Sequence, residues 1–67
     1  MKELVDKLLT EQDELIGKTK KLKSFISTDV YEKTLSSKHK ILLHKQLEAM
    51  LAYRDVLDER IEDLEGL

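Results

Sequence analysis

Apolar residues recur at alternating three- and four-residue intervals along most of this chain. In its second half Leu43, Met50, Leu57 and Leu64 stand seven apart, with Leu47, Arg54 and Ile61 as a second row beside them. In its first half Val5, Gln12, Thr19 and Ile26 form one row, and Leu8, Leu15 and Leu22 the other. This spacing puts each pair of rows on one stripe of an α-helix, the pattern of a helix packed along another helix. It predicts helices over about residues 2–26 and 37–65. Leu4, Leu9 and Ile16 widen the first stripe beyond a simple two-stranded seam. Gly17 falls mid-helix, where a glycine costs about 1 kcal/mol against alanine and allows either a close contact or a kink.

Between the helices, residues 27–36 (STDVYEKTLS) break the period. Ser27, Thr28 and Asp29 are all competent helix caps, and Asp29 with Glu32 three residues on suits a short helical turn. Val30, Tyr31 and Leu35 are then placed to plug the end of the core. Ser36 or Ser37 is the expected cap of the second long helix, which should stop near Gly66.

Two long helices joined by so short a segment fold back as an antiparallel hairpin. The register can be read from the numbering. Leu22 with Leu43, Leu15 with Met50 and Leu8 with Leu57 each add to 65, while Val5 with Ile61, Gln12 with Arg54 and Thr19 with Leu47 each add to 66. Leucine layers meet leucine layers, and polar Gln12 meets polar Arg54, a layer that weakens the seam but fixes its alignment. The expected fold is thus all-α, one antiparallel helical hairpin domain spanning 1–67.

Chain length and composition add a second expectation. A chain of 67 residues without cysteine or proline cannot bury a large core alone, and its high charge (39%) fits long helices. Small domains without disulfides or metals commonly gain stability by assembling. The apolar positions off the seam, Leu9, Ile16, Ile41, Leu51 and Val56, therefore read as the interface of a homo-oligomeric helical bundle, a dimer or a hexamer.

Charge is distributed unevenly. From Lys18 to Lys45 eight lysines face two acids, Asp29 and Glu32, so the hairpin tip is basic while both chain ends are acidic, within a net charge of -2. The tip reads as a solvated lysine face, as an anion-binding surface for a phosphate-bearing small molecule, or as a contact with a neighbour's acidic end. Nucleic acid is the weaker reading: the tip has no arginine, and only Phe25 and Tyr31 there could stack on bases.

Candidate catalytic chemistry is thin. Gly17-Lys18-Thr19 imitates the end of a phosphate-binding loop, but Gln12 stands where that motif requires glycine and no strand precedes it. His39 and His44 lie roughly 140° apart round a helix, and His44 with Glu48 supplies two ligands where a structural zinc needs four. Serines 24, 27, 36 and 37 sit where caps and turns belong. No catalytic residues, metal or cofactor are expected, and the protein is not read as an enzyme. No apolar run approaches the ~20 residues of a membrane span, and MKELVDKLL lacks the apolar core of a signal peptide.

A third row stands out: Gln46, Tyr53 and Arg60, also seven apart and too polar for a core seam. Tyrosine stacks on a base, glutamine reads an edge, and arginine forks onto a phosphate. Lys18 and Lys23 are candidate phosphate contacts beside it. The competing reading is an amphipathic rim, with Tyr53 covering core and Arg60 paired to Asp63 or Glu59.

Residues 20–62 resemble a known family. The segment Lys21-Leu22-Lys23-Ser24-Phe25-Ile26, and the later spacing of Leu43, Gln46, Leu47, Met50, Tyr53, Val56, Leu57, Arg60 and Ile61, look like the helical hairpin of anti-CBASS and Thoeris anti-defence sponge proteins and their short phage relatives. The resemblance implies a phage protein acting in the cytoplasm of an infected bacterium. It implies a homo-oligomer that holds a cyclic oligonucleotide or an ADP-ribose derivative between subunits without cleaving it. The chain is shorter than the better-known sponges, with little sequence before its first helix, so residues that the longer proteins contribute from there are expected to be absent. The alternative is an oligomeric helical module that binds a host or phage protein through the Leu9, Ile16 and Leu51 side.

Overall fold

The computed structural model describes residues 1–66, and the chain in it is all-helical. α1 spans Lys2–Ile26, α2 spans Asp29–Thr34, and α3 spans Ser37–Glu65. The two long helices lie side by side: the molecule measures 49 × 15 × 12 Å, whereas the same helices end to end would reach roughly 80 Å at ~1.5 Å per residue. This is the helical hairpin that the seven-residue rows predict, with long-helix boundaries where the periodicity starts and stops.

The core is a single seam between α1 and α3. Leu8, Leu15, Leu57 and Ile61 are buried together, and Val5, Met50 and Leu64 pack against them. These are the residues that the 65 and 66 registers bring level. Leu57 is the deepest, at 0% exposure. Thr19 occupies a buried seam position at no polar cost, because its Oγ1 donates to the Leu15 carbonyl at 2.8 Å. The polar layer differs from the expected pairing. Gln12 Nε2 donates to Asp58 Oδ1 rather than meeting Arg54. Asp58 stands one turn beyond Arg54, and its short acceptor suits a primary amide that has two protons to place.

The connection is built from two caps. Thr28 ends the α1 turn and opens α2: its Oγ1 donates to the Phe25 carbonyl at 2.6 Å and accepts from the Tyr31 N–H at 3.2 Å. Of the three competent caps, Thr28 is thus the one used, because its extended backbone aims the hydroxyl at the first free N–H groups. Ser36 caps α3 in the same way, accepting from the His39 N–H at 3.1 Å. Among the three residues expected to plug the core, Tyr31 is buried and Leu35 half-buried, but Val30 is 57% exposed. Neighbours in a helix point about 100° apart, so α2 cannot turn both Val30 and Tyr31 inward.

Gly17 lies in uninterrupted α1, and a Cβ there would meet nothing within 4 Å. It serves no close contact within the hairpin. No helix among the described residues is long and apolar enough to cross a membrane.

Candidate functional site

Pairing one side of α3 with α1 leaves another side without a partner. On that side Leu42, Gln46, Ala49, Tyr53, Val56 and Arg60 follow one another at alternating four- and three-residue steps, and all six are exposed. This is the spacing of a second helix-packing seam. The expected recognition row of Gln46, Tyr53 and Arg60 is therefore interleaved with a small and apolar row of Leu42, Ala49 and Val56. Reading the two rows separately hides this; the alternating step is the signal that joins them.

The side chains of the recognition row are available. Tyr53 is 45% exposed, so much of its ring is open to solvent. Arg60 has no ion pair among the described residues, neither to Asp63 nor to Glu59. Gln46 Nε2 lies 4.0 Å from Met50 Sδ, a weak contact that leaves its amide free to bond elsewhere. Of the rim arrangement, the ion pair of Arg60 with Asp63 or Glu59 does not form among the described residues. Along α3, however, the three residues are spread out: about 10 Å separates each from the next, and roughly 21 Å separates Gln46 from Arg60. Among the described residues no cleft or cavity gathers them.

The two lysines proposed beside the row part company. Lys18 is exposed on the flank of α1 that shares a side with Gln46 and Tyr53, since like flanks of an antiparallel pair face the same way. Lys23, five residues on, is also exposed but lies roughly 140° further round the helix, on the side of Leu9 and Ile16. Within one chain the helix brings only Lys18 to the recognition row.

The expected interface residues also divide. Leu9 is 39% exposed and Ile41 is 56% exposed, whereas Ile16 and Leu51 are already half-buried within the hairpin. Val56, half exposed, belongs to the outer stripe with Tyr53 rather than to the Leu9 side. The larger share of exposed apolar surface on α3 thus lies around the recognition row itself.

At the tip, aromatic and cationic groups interlock. Tyr31 meets Phe25 and His44 edge to face, each with ring centroids 6.1 Å apart. Lys40 Nζ stands 5.6 Å from the centre of the Tyr31 ring, donates to the Glu32 carbonyl at 2.8 Å and approaches the Glu32 carboxylate at 3.8 Å. Phe25, Tyr31 and Lys40 are thereby committed to closing the hairpin rather than offered to a nucleic acid. Sequence reasoning placed Tyr31 here; the part played by Lys40 and His44 follows from α2 folding over the start of α3, which no periodicity announces.

No curated protein and no solved structure matches this chain. One family model does, and it runs through both long helices and the connection between them. Matched over residues 2–63 by the model described as Sequestin, the chain belongs to the Sequestin family.

Proposed function

We propose that this protein is a non-enzymatic phage anti-defence protein, acting in the cytoplasm of the infected bacterium, that sequesters a nucleotide-derived immune second messenger. Three lines support the reading. The family name speaks of sequestration. The resemblance to anti-CBASS and Thoeris sponges rests on the positions that carry Gln46, Tyr53 and Arg60. The observation that carries most weight is the condition of that row: an exposed tyrosine, an unpaired arginine and a weakly engaged amide on one side of one helix. In this reading Tyr53 stacks on a base, Arg60 and Lys18 hold phosphate, and Gln46 hydrogen-bonds.

A sponge must enclose its ligand, and an isolated hairpin offers only a ridge. The reading therefore requires a homo-oligomer whose subunits build the pocket between them, which also limits the ordering cost of binding. Purification from cells producing such signals, followed by mass spectrometry of released small molecules, tests it. A bound cyclic oligonucleotide or ADP-ribose derivative is the expected result. No nucleotide after release, and no thermal shift with cyclic dinucleotides, cyclic trinucleotides or cyclic ADP-ribose variants, overturns it.

The exposed Leu42 and Val56 favour one other reading, a helical module that binds a host or phage protein. A stoichiometric protein partner that survives Tyr53→Ala with Arg60→Ala would select this alternative, since those changes remove the ligand contacts.

A further inference from the structure

We infer that the basic end of the hairpin is a docking surface for an anionic lipid bilayer, which it rests on and does not cross. Of the eight lysines from Lys18 to Lys45, only Lys40 is drawn into the fold, where it lies over the Tyr31 ring and approaches the Glu32 carboxylate. The other seven are exposed and make no ion pair among the described residues. With Glu32 held by Lys40, Asp29 is the one acid left to oppose them, so six positive charges stand unbalanced at one end of the molecule.

Two apolar side chains stand among these lysines. Val30 is 57% exposed and Ile41 is 56% exposed, more than any other large apolar residue described except Met1. Neither belongs to the seam or to the outer stripe of α3. Each has a lysine one helical turn away on its own side, Lys33 beside Val30 on α2 and Lys38 beside Ile41 on α3. The fold explains the first pair: α2 spends its inward position on Tyr31, and the helical step then turns Val30 and Lys33 outward together. Apolar groups set within a lysine cluster suit the interfacial layer of a membrane. There the apolar groups reach the acyl boundary while the cations meet lipid phosphate.

Charge alone would suit a nucleic acid equally well, and the apolar pair decides between them. A duplex offers phosphates to the lysines but no apolar layer to Val30 and Ile41. The rings that could stack on unpaired bases, Phe25 and Tyr31, are engaged with each other edge to face. An anionic bilayer offers both kinds of contact. Lys21, Lys23 and Lys38 fall within about 8 Å of the hairpin's end by helical rise, one Debye length at physiological salt, and Lys33 lies on α2 at that end. Each cation that close to an anionic leaflet raises partitioning about fivefold. Four together raise it several hundredfold, to half-binding at about millimolar lipid. The acidic chain ends lie at the far end of a molecule 49 Å long, where salt screens their repulsion from the leaflet.

Co-sedimentation of the full chain with vesicles tests the surface. At low salt the protein should bind vesicles of phosphatidylcholine mixed with phosphatidylglycerol, stay free of vesicles of phosphatidylcholine alone, and be released by about 0.5 M salt. Lys33→Gln with Lys38→Gln should weaken binding about 25-fold, and Val30→Ser about fivefold, with the helical circular-dichroism signal kept because all three positions are exposed. Lys7→Gln, exposed near the acidic end, should change nothing. The chain has no tryptophan, so Val30→Trp reports contact without background: its emission should shift to the blue with the anionic vesicles only. No binding at low salt, equal binding to both kinds of vesicle, or a Val30→Trp emission that stays at its value in water would overturn the inference. Tighter binding to duplex DNA than to the anionic vesicles, with Val30→Ser without effect on either, would overturn it too and assign the tip to nucleic acid. These readouts need no nucleotide ligand, so they stand or fall apart from the sequestration reading.

Discussion

Replacing Leu57 by alanine tests the hairpin at its deepest point. Leu57 has 0% exposure and sits in the cluster with Leu8, Leu15 and Ile61. Truncating a buried leucine forfeits its transfer free energy and leaves a cavity that rigid helices fill only in part, at about 2–5 kcal/mol. Folded domains hold roughly 0.05–0.15 kcal/mol per residue, so a chain of this length has about 3–10 kcal/mol in all. The substitution should therefore remove about a fifth of the stability at the least, and at the upper end of the range it leaves the folded form barely favoured. The control is Leu42→Ala: the same chemistry on the same helix, but 48% exposed, with an expected change within about 0.5 kcal/mol. Urea unfolding followed by helical circular dichroism measures both. It should be run at protein concentrations low enough that the midpoint no longer depends on concentration, so that contacts between copies do not enter. Equal midpoints for the two variants would refute the reasoning, because they would mean that the Leu57 seam is not the one that holds the helices together.

Other expectations follow from single features. Gly17→Ala should raise stability by about 1 kcal/mol in the same unfolding assay, since a Cβ there meets nothing and alanine is the better helix former. Thr28→Ala removes both hydrogen bonds at the α1–α2 junction and should cost about 1 kcal/mol, with faster amide exchange at Tyr31, while Thr28→Ser should retain most of the protection. Thr19→Val keeps the shape of the buried side chain and removes only an intrahelical bond, so its urea midpoint should stay within about 1 kcal/mol of the unaltered protein; Thr19→Ala should fall further. Tyr53→Ala and Arg60→Ala should leave the monomer's unfolding midpoint nearly unchanged yet abolish nucleotide retention, which mass spectrometry of the purified variants reads directly.

Much of the fold was legible because two helices with seven-residue rows have few ways to bury them. Leu8, Leu15, Leu57 and Ile61 announce the seam by spacing, and a constant sum of residue numbers announces the register. Side-chain chemistry that reaches along a helix was not legible. Gln12 was expected opposite Arg54 on register alone, but a flexible amide can reach one turn further to Asp58. The α2 segment shows a similar gap: composition marks three possible caps and three possible plugs, and only the backbone direction at Thr28 selects the pair that works. The candidate site was half legible. Gln46, Tyr53 and Arg60 could be singled out as too polar for a core and are indeed exposed. Lys23 was grouped with Lys18 by nearness in sequence, although five helical positions carry it round to another side. Val56 was assigned to a different surface from Tyr53, although the four-three step between them was already present in the sequence.

The thinness of the seam bears on how this protein can change over generations. Among the described residues only Leu8, Leu15, Thr19, Tyr31, Leu57 and Ile61 are buried. A fold that makes strict demands at so few positions leaves nearly all of its remaining side chains open to substitution without unfolding the chain. On the proposed reading, a change in the ligand can be met by rewriting the outer stripe of α3 while the hairpin that presents it stays the same.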